Sequence, residues 1–228
     1  MVDYGDFAKT RDPQDFWGQV RRTVGGKPVA QDQIDLIVEG ITGGLRLGRD
    51  DLLLDLCCGN GALSRLVFEH CAGGLGVDAA GPLIDIAQLN FETPGQQDYR
   101  HQDVIEFVHA FPEPGRFNKV LWYASLAYFD RAQALELLGG LATRFVNVSR
   151  VFIGNVPDRS QMRAFFKPEA YRPGVEDDPT SDIGVWRSEE ECISLARETG
   201  WTAEITRMPA HFYQAHYRYD VVLTRPGG

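Results

Sequence analysis

The sequence has few basic residues for its length. Its 228 residues include 23 lysines and arginines against 32 aspartates and glutamates, which gives a formal net charge of -9. Such a chain has no overall attraction for a nucleic-acid backbone or an anionic membrane surface. The sequence also lacks any run of 18 apolar residues, the length that a membrane-spanning helix needs. We therefore expect neither nucleic acid nor membrane as a default partner.

Cysteine is also scarce, and its spacing matches no common site. Cys57, Cys58, Cys71 and Cys192 have neither the CxxC spacing of metal sites nor the arrangement of a disulfide-rich secreted domain. The first residues, MVDYGDFAKT, are acidic and polar where a signal peptide would need a basic flank and an apolar run. The sequence thus predicts buried, reduced thiols, no metal site and a cytoplasmic protein.

The rest of the composition is that of an average globular protein, with 43% hydrophobic and 24% charged residues. At this length about 70% of the surface of the unfolded chain could be buried in one large core. The size suits one domain with additions, or two small domains. No internal repeat or low-complexity segment is evident.

Short apolar runs alternate with segments of helical periodicity from Leu52 onward. The run LLLDL ends at a glycine-rich turn, the segment ALSRLVFEHCA has its apolar residues on one helical face, and the strand LGVD follows. Further strands are predicted near Tyr99–Gln102, at Lys119–Tyr123 and at Val151–Gly154, with helices before or after them. Such alternation predicts an α/β fold with a doubly wound, mostly parallel sheet.

The pattern changes toward the end of the chain. A capping box of Ser188 and Glu191 begins a helix that ends near Thr199, and two strands follow, Thr202–Arg207 and Arg218–Thr224. Only about ten residues separate these strands, too few for a crossover helix, so we expect them to pair antiparallel. The prediction is therefore a seven-stranded sheet with an antiparallel last strand.

Two regions lie outside this alternation. Residues 1–45 combine an aromatic-rich segment, DFWGQVRRTVGGK, with an amphipathic helix. Residues 157–187 form a long connection rich in proline, glycine, aspartate and aromatic residues. We interpret the first as an N-terminal helical cap over a substrate cleft. The second is interpreted as a cap insertion within a domain that spans residues 46–228.

Polar residues and glycines follow three successive strands, at the carboxyl ends where open parallel sheets bind ligands. The first strand ends in DLCCGNG, in which Gly59 and Gly61 permit a tight turn and close approach of the backbone to a ligand. Asp78 ends the second strand, where a carboxylate can accept both hydroxyls of an adenosine ribose. Asp103 follows the third strand and could accept the adenine amino group. The three turns together indicate an adenosine-containing cofactor.

Details of the first turn distinguish between such cofactors. Ser64 occupies the third position of GxGxxG, where a dinucleotide-binding turn has a small residue that seats the helix, and no phosphate-pairing lysine or arginine precedes it. Asp55 would repel a pyrophosphate but could attract an ammonium group, directly or through water. A cofactor with an amino-acid tail therefore fits better than NAD, which stays open as an alternative.

The sequence LLLDLCCGNGALS resembles the glycine-rich first motif of the class I S-adenosylmethionine-dependent methyltransferases, whose fold is Rossmann-like. The resemblance continues through GVD at Gly76–Asp78 and HQD at His101–Asp103, and covers about residues 50–225. It implies S-adenosyl-L-methionine as the cofactor, bound by three successive turns. The residues implied are, at the glycine-rich turn, Asp55, Cys57, Gly59, Asn60 and Gly61; at the ribose, Asp78; and at the adenine, Asp103 and Val104.

Methyl transfer needs an in-line nucleophile and, for a hydroxyl or amine acceptor, removal of a proton. The candidate bases are His211 and His216, between the last two strands, and Tyr123, at the end of the fourth strand. Tyr123 could instead form a wall of the cofactor site or part of the core. The turn WYASLAYF lacks the Asn/Asp-Pro-Pro-Tyr/Phe sequence of one type of amine methyltransferase, which argues against N-methylation of bases or glutamine.

Candidate substrate residues lie after two strands and in the N-terminal region. Tyr128 and Asn155 follow the fourth and fifth strands, and Trp17 and Arg21 belong to a basic, aromatic cluster that includes Arg22. The cluster could bind an anionic or sugar-like substrate by charge and stacking, or it could be a solvated helix face.

The sequence therefore predicts a methyltransferase that acts on a small molecule by O-methylation of a carbohydrate or secondary-metabolite hydroxyl. We expect a monomer or homodimer. The stretches DFWGQVRRTVGGKP, IGNVPDR and AHYRYDVVL resemble small bacterial methyltransferases of carbohydrate or secondary metabolism, which supports this acceptor class. The alternatives are an RNA methyltransferase, a cofactor-binding partner subunit without catalysis, and an NAD-dependent oxidoreductase.

Overall fold

A seven-stranded sheet forms the centre of the computed structural model, which describes residues 4–166 and 171–226. Its strands are β1 Leu52–Leu56, β2 Gly73–Asp78, β3 Gln97–His101, β4 Lys119–Tyr123, β5 Arg150–Pro157, β6 Thr202–Thr206 and β7 Arg218–Thr224. They lie in the order β3-β2-β1-β4-β5-β7-β6. Strand β7 is antiparallel to its neighbours β5 and β6, and the other pairs are parallel. The predicted doubly wound α/β sheet with an antiparallel last strand is confirmed.

Helices cover both faces of this sheet. The helices of the described residues are α1 Tyr4–Lys9, α2 Phe16–Gln19, α3 Gln31–Leu45, α4 Ala62–Phe68, α5 Gly81–Phe91, α6 Val104–Ala110, α7 Arg131–Arg144, α8 Met162–Phe165 and α9 Glu189–Glu198. One apolar core joins α3, α4 and α5 to the sheet, and the other joins α6, α7 and α9 to it. Among the described residues, no helix has the length and apolar character that crossing a membrane requires.

Strand β1 shows why the central strands lack an alternating polar pattern. Leu53 belongs to the core under α3, α4 and α5, whereas Leu54 and Leu56 belong to the core on the opposite face. All three are fully buried. A parallel strand covered on both faces needs apolar residues at successive positions, which accounts for the run LLLDL.

Local sequence features set the ends of several elements. Strand β4 has the predicted bounds, Lys119–Tyr123, and helix α9 begins with the predicted capping box. In that box the Glu191 N–H donates to Ser188 Oγ at 3.2 Å, and the Ser188 N–H donates to Glu191 Oε2 at 2.7 Å. Strand β5 is longer than predicted because it continues to Pro157, with an irregular register between Ile153 and Val156.

The N-terminal region divides into two parts. Helix α3 packs on the sheet, with Ile34, Ile37 and Ile41 buried in the same core as Phe152 of β5. It therefore belongs to a helical layer and is not a cap. The described residues before it form a separate unit, the N-terminal segment, residues 4–28, which contains α1, α2 and a hairpin of Thr23–Val24 with Lys27–Pro28.

The region predicted as a cap insertion, residues 157–187, packs around a small apolar cluster that it shares with the connection before β7. Met162, Trp186 and Tyr217 are the buried members of that cluster. The region is tied to the turn after β4, because the Val185 N–H donates to the Ala127 carbonyl and Arg187 Nη2 to the Phe129 carbonyl, both at 2.7 Å. Residues 167–170 of this predicted insertion lie outside the described residues.

Candidate functional site

A cavity of about 630 Å³ lies at the carboxyl ends of β1, β2, β3 and β4. Strands β1 and β4 are neighbours where the strand order reverses, which is where open α/β sheets bind ligands. The N-terminal segment completes the walls. The lining residues discussed below are Tyr4, Trp17, Val20, Arg22, Asp55, Cys57, Cys58, Gly59, Asn60, Asp78, Asp103, Val104, Tyr123, Tyr128 and Phe129.

The glycine-rich turn after β1 depends on left-handed backbone. Gly59 and Gly61 have φ of 60° and 75°. A Cβ at Gly61 would lie 2.7 Å from Cε1 of the Tyr99 ring, a distance that real Cβ atoms do not show. Both backbone and packing therefore require glycine at Gly61, and the turn can approach a ligand closely at the start of α4.

The Asp78 carboxylate joins two of the turns at the cavity wall. Its Oδ2 accepts the Gly59 N–H and its Oδ1 accepts the Ala80 N–H, both at 2.8 Å. Burial raises the pKa of this carboxyl, while the two backbone N–H groups act to lower it. Each oxygen keeps a lone pair, so Asp78 can also accept hydroxyls from a ligand.

The Asp55 carboxylate is the most buried acidic group of the cavity, at 3% exposure. Its Oδ2 accepts the Ser64 hydroxyl at 2.6 Å. Burial raises the pKa of Asp55 to about 7, against the opposing effects of the Ser64 hydrogen bond and the positive charge of Arg22. A cationic ligand group beside Asp55 would favour the ionised carboxylate.

Asn60 connects the glycine-rich turn to the N-terminal segment. Its Nδ2 donates to the Phe16 carbonyl and to Gln19 Oε1, both at 2.8 Å, and the side chain is buried. The amide therefore holds α2 against the turn. The resemblance implied a contact with the methionine end of a cofactor, but in the structure both amide hydrogens have partners within the protein.

The cysteines beside this turn are free thiols, as are Cys71 and Cys192. Burial raises the pKa of the Cys57 and Cys58 thiols, so both stay protonated at neutral pH. Of the four cysteines predicted to be buried, Cys192 is fully buried and the other three are partly buried. Among the described residues, no group of three or more His, Cys, Asp or Glu side chains could hold a metal ion.

Asp103 lies in the cavity wall and also caps the N-terminus of a helix. Its Oδ1 accepts the Ile105 N–H at 2.9 Å and the Glu106 N–H at 3.0 Å, which makes Asp103 the N-cap of α6. Asp103 and the next residue, Val104, both line the cavity. The second carboxylate oxygen takes no part in these bonds, so a ligand amino group could still donate to it.

Tyrosines form the wall after β4. The hydroxyls of Tyr128 and Tyr4 are 2.8 Å apart, so the turn after β4 and helix α1 are hydrogen-bonded across the cavity. Tyr123 is 8% exposed, and burial raises the pKa of its phenol well above the ordinary value. Tyr123 therefore stays protonated at neutral pH, and it lines the cavity wall.

The basic cluster of the N-terminal segment separates into two environments. Arg22 lines the cavity, with its guanidinium carbon 5.4 Å from the Trp17 ring centroid and 5.1 Å from that of Tyr123. Arg21 does not line it. Its guanidinium lies 3.6 Å from Asp182 and over the Phe7 ring at 4.6 Å. The cavity lining therefore includes Arg22 and not the predicted Arg21.

Four other predicted residues are absent from the described cavity lining: Gly61, which faces the Tyr99 ring, His211, His216 and Asn155. His211 and His216 are exposed in the connection between β6 and β7, where the inward position is taken by the buried Phe212 and the Tyr213 N–H donates to Gln33 on α3 at 2.9 Å. Asn155 is buried in the irregular part of β5, and its N–H donates to Asp220 Oδ1 at 2.6 Å. The described cavity lining therefore contains no histidine.

The sequence analysis missed Tyr4 and Val20, which also line the cavity. Both come from the N-terminal segment, far along the chain from the strand ends. The basic and aromatic residues around Trp17 were the sequence feature that pointed to this segment. Nothing in its local pattern showed that the chain would return across the glycine-rich turn.

The strand order, the antiparallel β7 and the glycine-rich turn after β1 are those of the class I S-adenosylmethionine-dependent methyltransferase fold. No protein-family model and no curated protein sequence matches the chain. Solved structures of the same fold do match it, at sequence identities of 20% or less for the three described next.

Magnesium protoporphyrin IX methyltransferase from Synechocystis PCC 6803, solved with bound S-adenosylhomocysteine, is 18% identical, with a TM-score of 0.61 over 86% of this chain and 83% of that chain. Phosphoethanolamine N-methyltransferase 1 from Haemonchus contortus is 16% identical, with a TM-score of 0.66 over 97% of this chain and 47% of that chain. The pyocyanin biosynthetic protein PhzM is 20% identical, with a TM-score of 0.59 over 84% of this chain and 55% of that chain. At these identities the likeness establishes the fold.

Proposed function

We propose that the protein is an S-adenosylmethionine-dependent methyltransferase that methylates a hydroxyl group of a small molecule. The observation that carries the cofactor assignment is the position of Asp78. Its carboxylate is fixed at the end of β2 by the N–H groups of Gly59 and Ala80, beside the glycine-rich turn, and it keeps acceptor capacity toward the cavity. This is the arrangement that binds the two hydroxyls of an adenosine ribose.

The other residues of the cavity fit the same cofactor. Asp103 and Val104 would contact the adenine, and the left-handed turn of Gly59 and Gly61 leaves room for the amino-acid end. Asp55 would attract its ammonium group. When bound, the cofactor supplies an activated methyl group on a sulfonium. The presence of S-adenosylhomocysteine in a structure of the same fold supports this assignment.

The walls of the cavity support a small acceptor. The N-terminal segment lies over the strand ends, tied down by Asn60 and by the hydrogen bond between Tyr4 and Tyr128. Aromatic rings of Trp17 and Phe129 also line the walls. Such walls suit a flat or sugar-like molecule, and the likeness to a pyocyanin biosynthetic protein supports a secondary metabolite.

The positive charge at the end of β4 favours oxygen over nitrogen as the methylated atom. The Arg22 guanidinium lies at the Tyr123 ring, at the end of β4, and would repel a cationic amine. The described lining residues include no histidine, and Tyr123 stays protonated, so an acceptor that loses its own proton easily is favoured. A phenolic or similarly acidic hydroxyl meets both conditions.

The RNA alternative has less support. An RNA methyltransferase of this net charge would need a local basic groove. Near the cavity Arg21 pairs with Asp182, and on the adjacent insertion Arg159 pairs with Asp177. These ion pairs neutralise the charge that a phosphate backbone would need.

Isothermal titration of S-adenosylhomocysteine tests the cofactor assignment. We expect Asp78→Asn to weaken binding by about 10- to 100-fold, because a charge-assisted acceptor is lost at a buried site. Asp85→Asn makes the same charge change on the exposed surface of α5 and should leave the affinity unchanged. If the folded wild-type protein does not bind, or if both variants bind like wild type, the cofactor assignment is wrong.

The acceptor class is tested by transfer of a labelled methyl group to a panel of phenols, sugars, amines and tRNA. We expect turnover with a hydroxyl acceptor. Turnover with tRNA alone would establish the RNA alternative. Cofactor binding without any turnover across the panel would support a partner subunit without catalysis.

A further inference from the structure

Arg22 is a cation without a counter-ion inside the cavity. It forms no ion pair with a carboxylate of the described residues, and its Nη1 is buried without a hydrogen-bond partner. Its neighbour Arg21 does have a counter-ion, Asp182. A buried guanidinium donor without an acceptor is unfavourable, so a ligand that supplies an acceptor would gain the energy of that bond.

The side chain is held in place rather than free to reach solvent. The Arg22 N–H donates to the Trp17 carbonyl at 2.8 Å, and the Arg22 carbonyl accepts the Val29 N–H at 3.1 Å. The guanidinium then lies against two rings, those of Trp17 and Tyr123. Stacking on both rings orients the planar donor group before any ligand arrives, as suits recognition of a planar or multidentate anion.

The charged side chains around Arg22 indicate which charge the ligand group beside it should carry. Asp55 is close enough for the Arg22 charge to lower its pKa against the larger effect of burial, so the two opposite charges face the same part of the cavity. Asp78 already accepts the N–H groups of Gly59 and Ala80, and Asp103 accepts two N–H groups from the first turn of α6. Only Arg22 is a positive side chain among the described lining residues.

We propose that Arg22 is the anion-binding subsite of this cavity, with a carboxylate or phosphate of the bound ligands as its partner. This inference deepens the proposed function and rests on it for the identity of the ligands. The anion can come from two sources. It can be the carboxylate of the cofactor's amino-acid end, whose ammonium would then lie toward Asp55, or an acidic group on the methyl acceptor.

The first arm of the test compares two ligands that differ only in the carboxylate, S-adenosylhomocysteine and its decarboxylated analogue. If the cofactor is the source, Arg22→Met weakens binding of S-adenosylhomocysteine by about 10- to 100-fold and leaves the analogue unchanged. Arg22→Lys keeps the charge and should recover part of the loss. Arg197→Met removes an exposed charge on α9 and should change neither affinity.

The second arm titrates benzoate and benzamide into protein saturated with S-adenosylhomocysteine. If the acceptor is the source, Arg22→Met removes binding of benzoate while the affinity for benzamide stays as in wild type. Circular dichroism and thermal unfolding of each variant show that it is folded.

Two results would overturn the subsite. One is that Arg22→Met changes none of the four affinities. The other is that it weakens both adenosyl ligands equally, which would mean that Arg22 only supports the wall. If the folded wild type binds neither adenosyl ligand, the proposed function is refuted. In that case benzoate binding is measured without S-adenosylhomocysteine, and its dependence on Arg22 would still support the subsite.

Discussion

Three carboxylates line one cavity, and each has different hydrogen-bond donors. Asp78 accepts backbone N–H groups from two turns, and Asp103 accepts two from the first turn of α6. Asp55 is 3% exposed and accepts the Ser64 hydroxyl. Asp55 therefore has the fewest hydrogen-bond donors of the three to stabilise its negative charge, and burial raises its pKa to about 7. At the scale of single residues, Asp55 is the group whose charge a ligand can change near neutral pH.

We expect the affinity for S-adenosylhomocysteine to fall as the pH falls through 7. A carboxyl with a raised pKa is ionised above about 7 and protonated below, and only the ionised form attracts the ligand ammonium. Between pH 8 and pH 6 the dissociation constant should rise by up to about 10-fold, as linkage requires for one proton. Isothermal titration at four pH values measures it.

Asp55→Asn is the matched control for this pH dependence. The variant should bind weakly at every pH, with most of the dependence gone, because the amide does not titrate in this range. An Asp55→Asn protein that keeps the full pH dependence would show that another group carries it. Asp78, whose pKa burial also raises, would then be the next residue to replace.

At the scale of elements, the N-terminal segment is joined to the sheet domain by a few side chains. Asn60 holds α2, Tyr4 bonds Tyr128, and Arg21 pairs with Asp182 of the inserted region. Short helices such as α1 and α2 have little stability of their own, so these contacts help to hold the segment over the cavity.

Replacement of Tyr4 by phenylalanine tests this role of α1. The change removes the hydrogen bond to Tyr128, worth about 0.5–1.5 kcal/mol, and keeps the ring contact between the two residues. We expect faster amide hydrogen exchange in α1 and a several-fold faster release of S-adenosylhomocysteine, measured by mass spectrometry and stopped flow.

The control for this experiment is Tyr171→Phe, which removes a hydroxyl from an exposed tyrosine of the inserted region. It should behave like wild type. If Tyr4→Phe leaves both the exchange of α1 and the release rate unchanged, the hydroxyl pair does not hold the segment closed.

Elements that depend on local sequence were predictable, and side-chain directions that depend on distant contacts were not. Strand β4 and the capping box of Ser188 were predicted because a buried run and a cap each lie within a few residues. Arg21 and Arg22 are adjacent and identical in type. Which one enters the cavity depends on the left-handed backbone of Arg21, with φ of 53°, and on its pairing with Asp182 far along the chain.

The directions of His211 and His216 have a similar cause. Their connection packs through Phe212 against the core under α3, and the Tyr213 N–H donates to Gln33, so the two histidines point to solvent. No periodicity in the sequence carries this information. The sequence predicted that the site lies at the strand ends. Which side chains line it could be determined only from the three-dimensional fold.

At the scale of the whole molecule, the net negative charge of the chain contrasts with the unpaired positive charge of one cavity residue, Arg22. The chain carries a net charge of -9, while Arg22 places an unpaired guanidinium within the cavity wall. An acidic surface repels polyanions at long range, but it is screened over about 8–10 Å at physiological salt. A small anion can therefore reach a site that a nucleic acid is not attracted to.

Fluorescence anisotropy of labelled tRNA at 50 and 200 mM salt tests this contrast. We expect no saturable binding at either concentration, because the surface offers no excess of positive charge to release counterions. Saturable binding at 50 mM that weakens by about 10³- to 10⁵-fold at 200 mM would show 6–10 phosphate contacts and return RNA to consideration.

The contacts of the N-terminal segment also determine when this segment can pack against the rest of the chain during synthesis. Residues 4–28 leave the ribosome before these partners. Asn60 lies 41 positions after Gln19, Tyr128 lies 124 positions after Tyr4, and Asp182 lies about 160 positions after Arg21. Closing so long a loop costs chain entropy that only a formed sheet can offset. The N-terminal segment can therefore take its place only after its partners near Tyr128 and Asp182 have been made, and the cavity is completed after that.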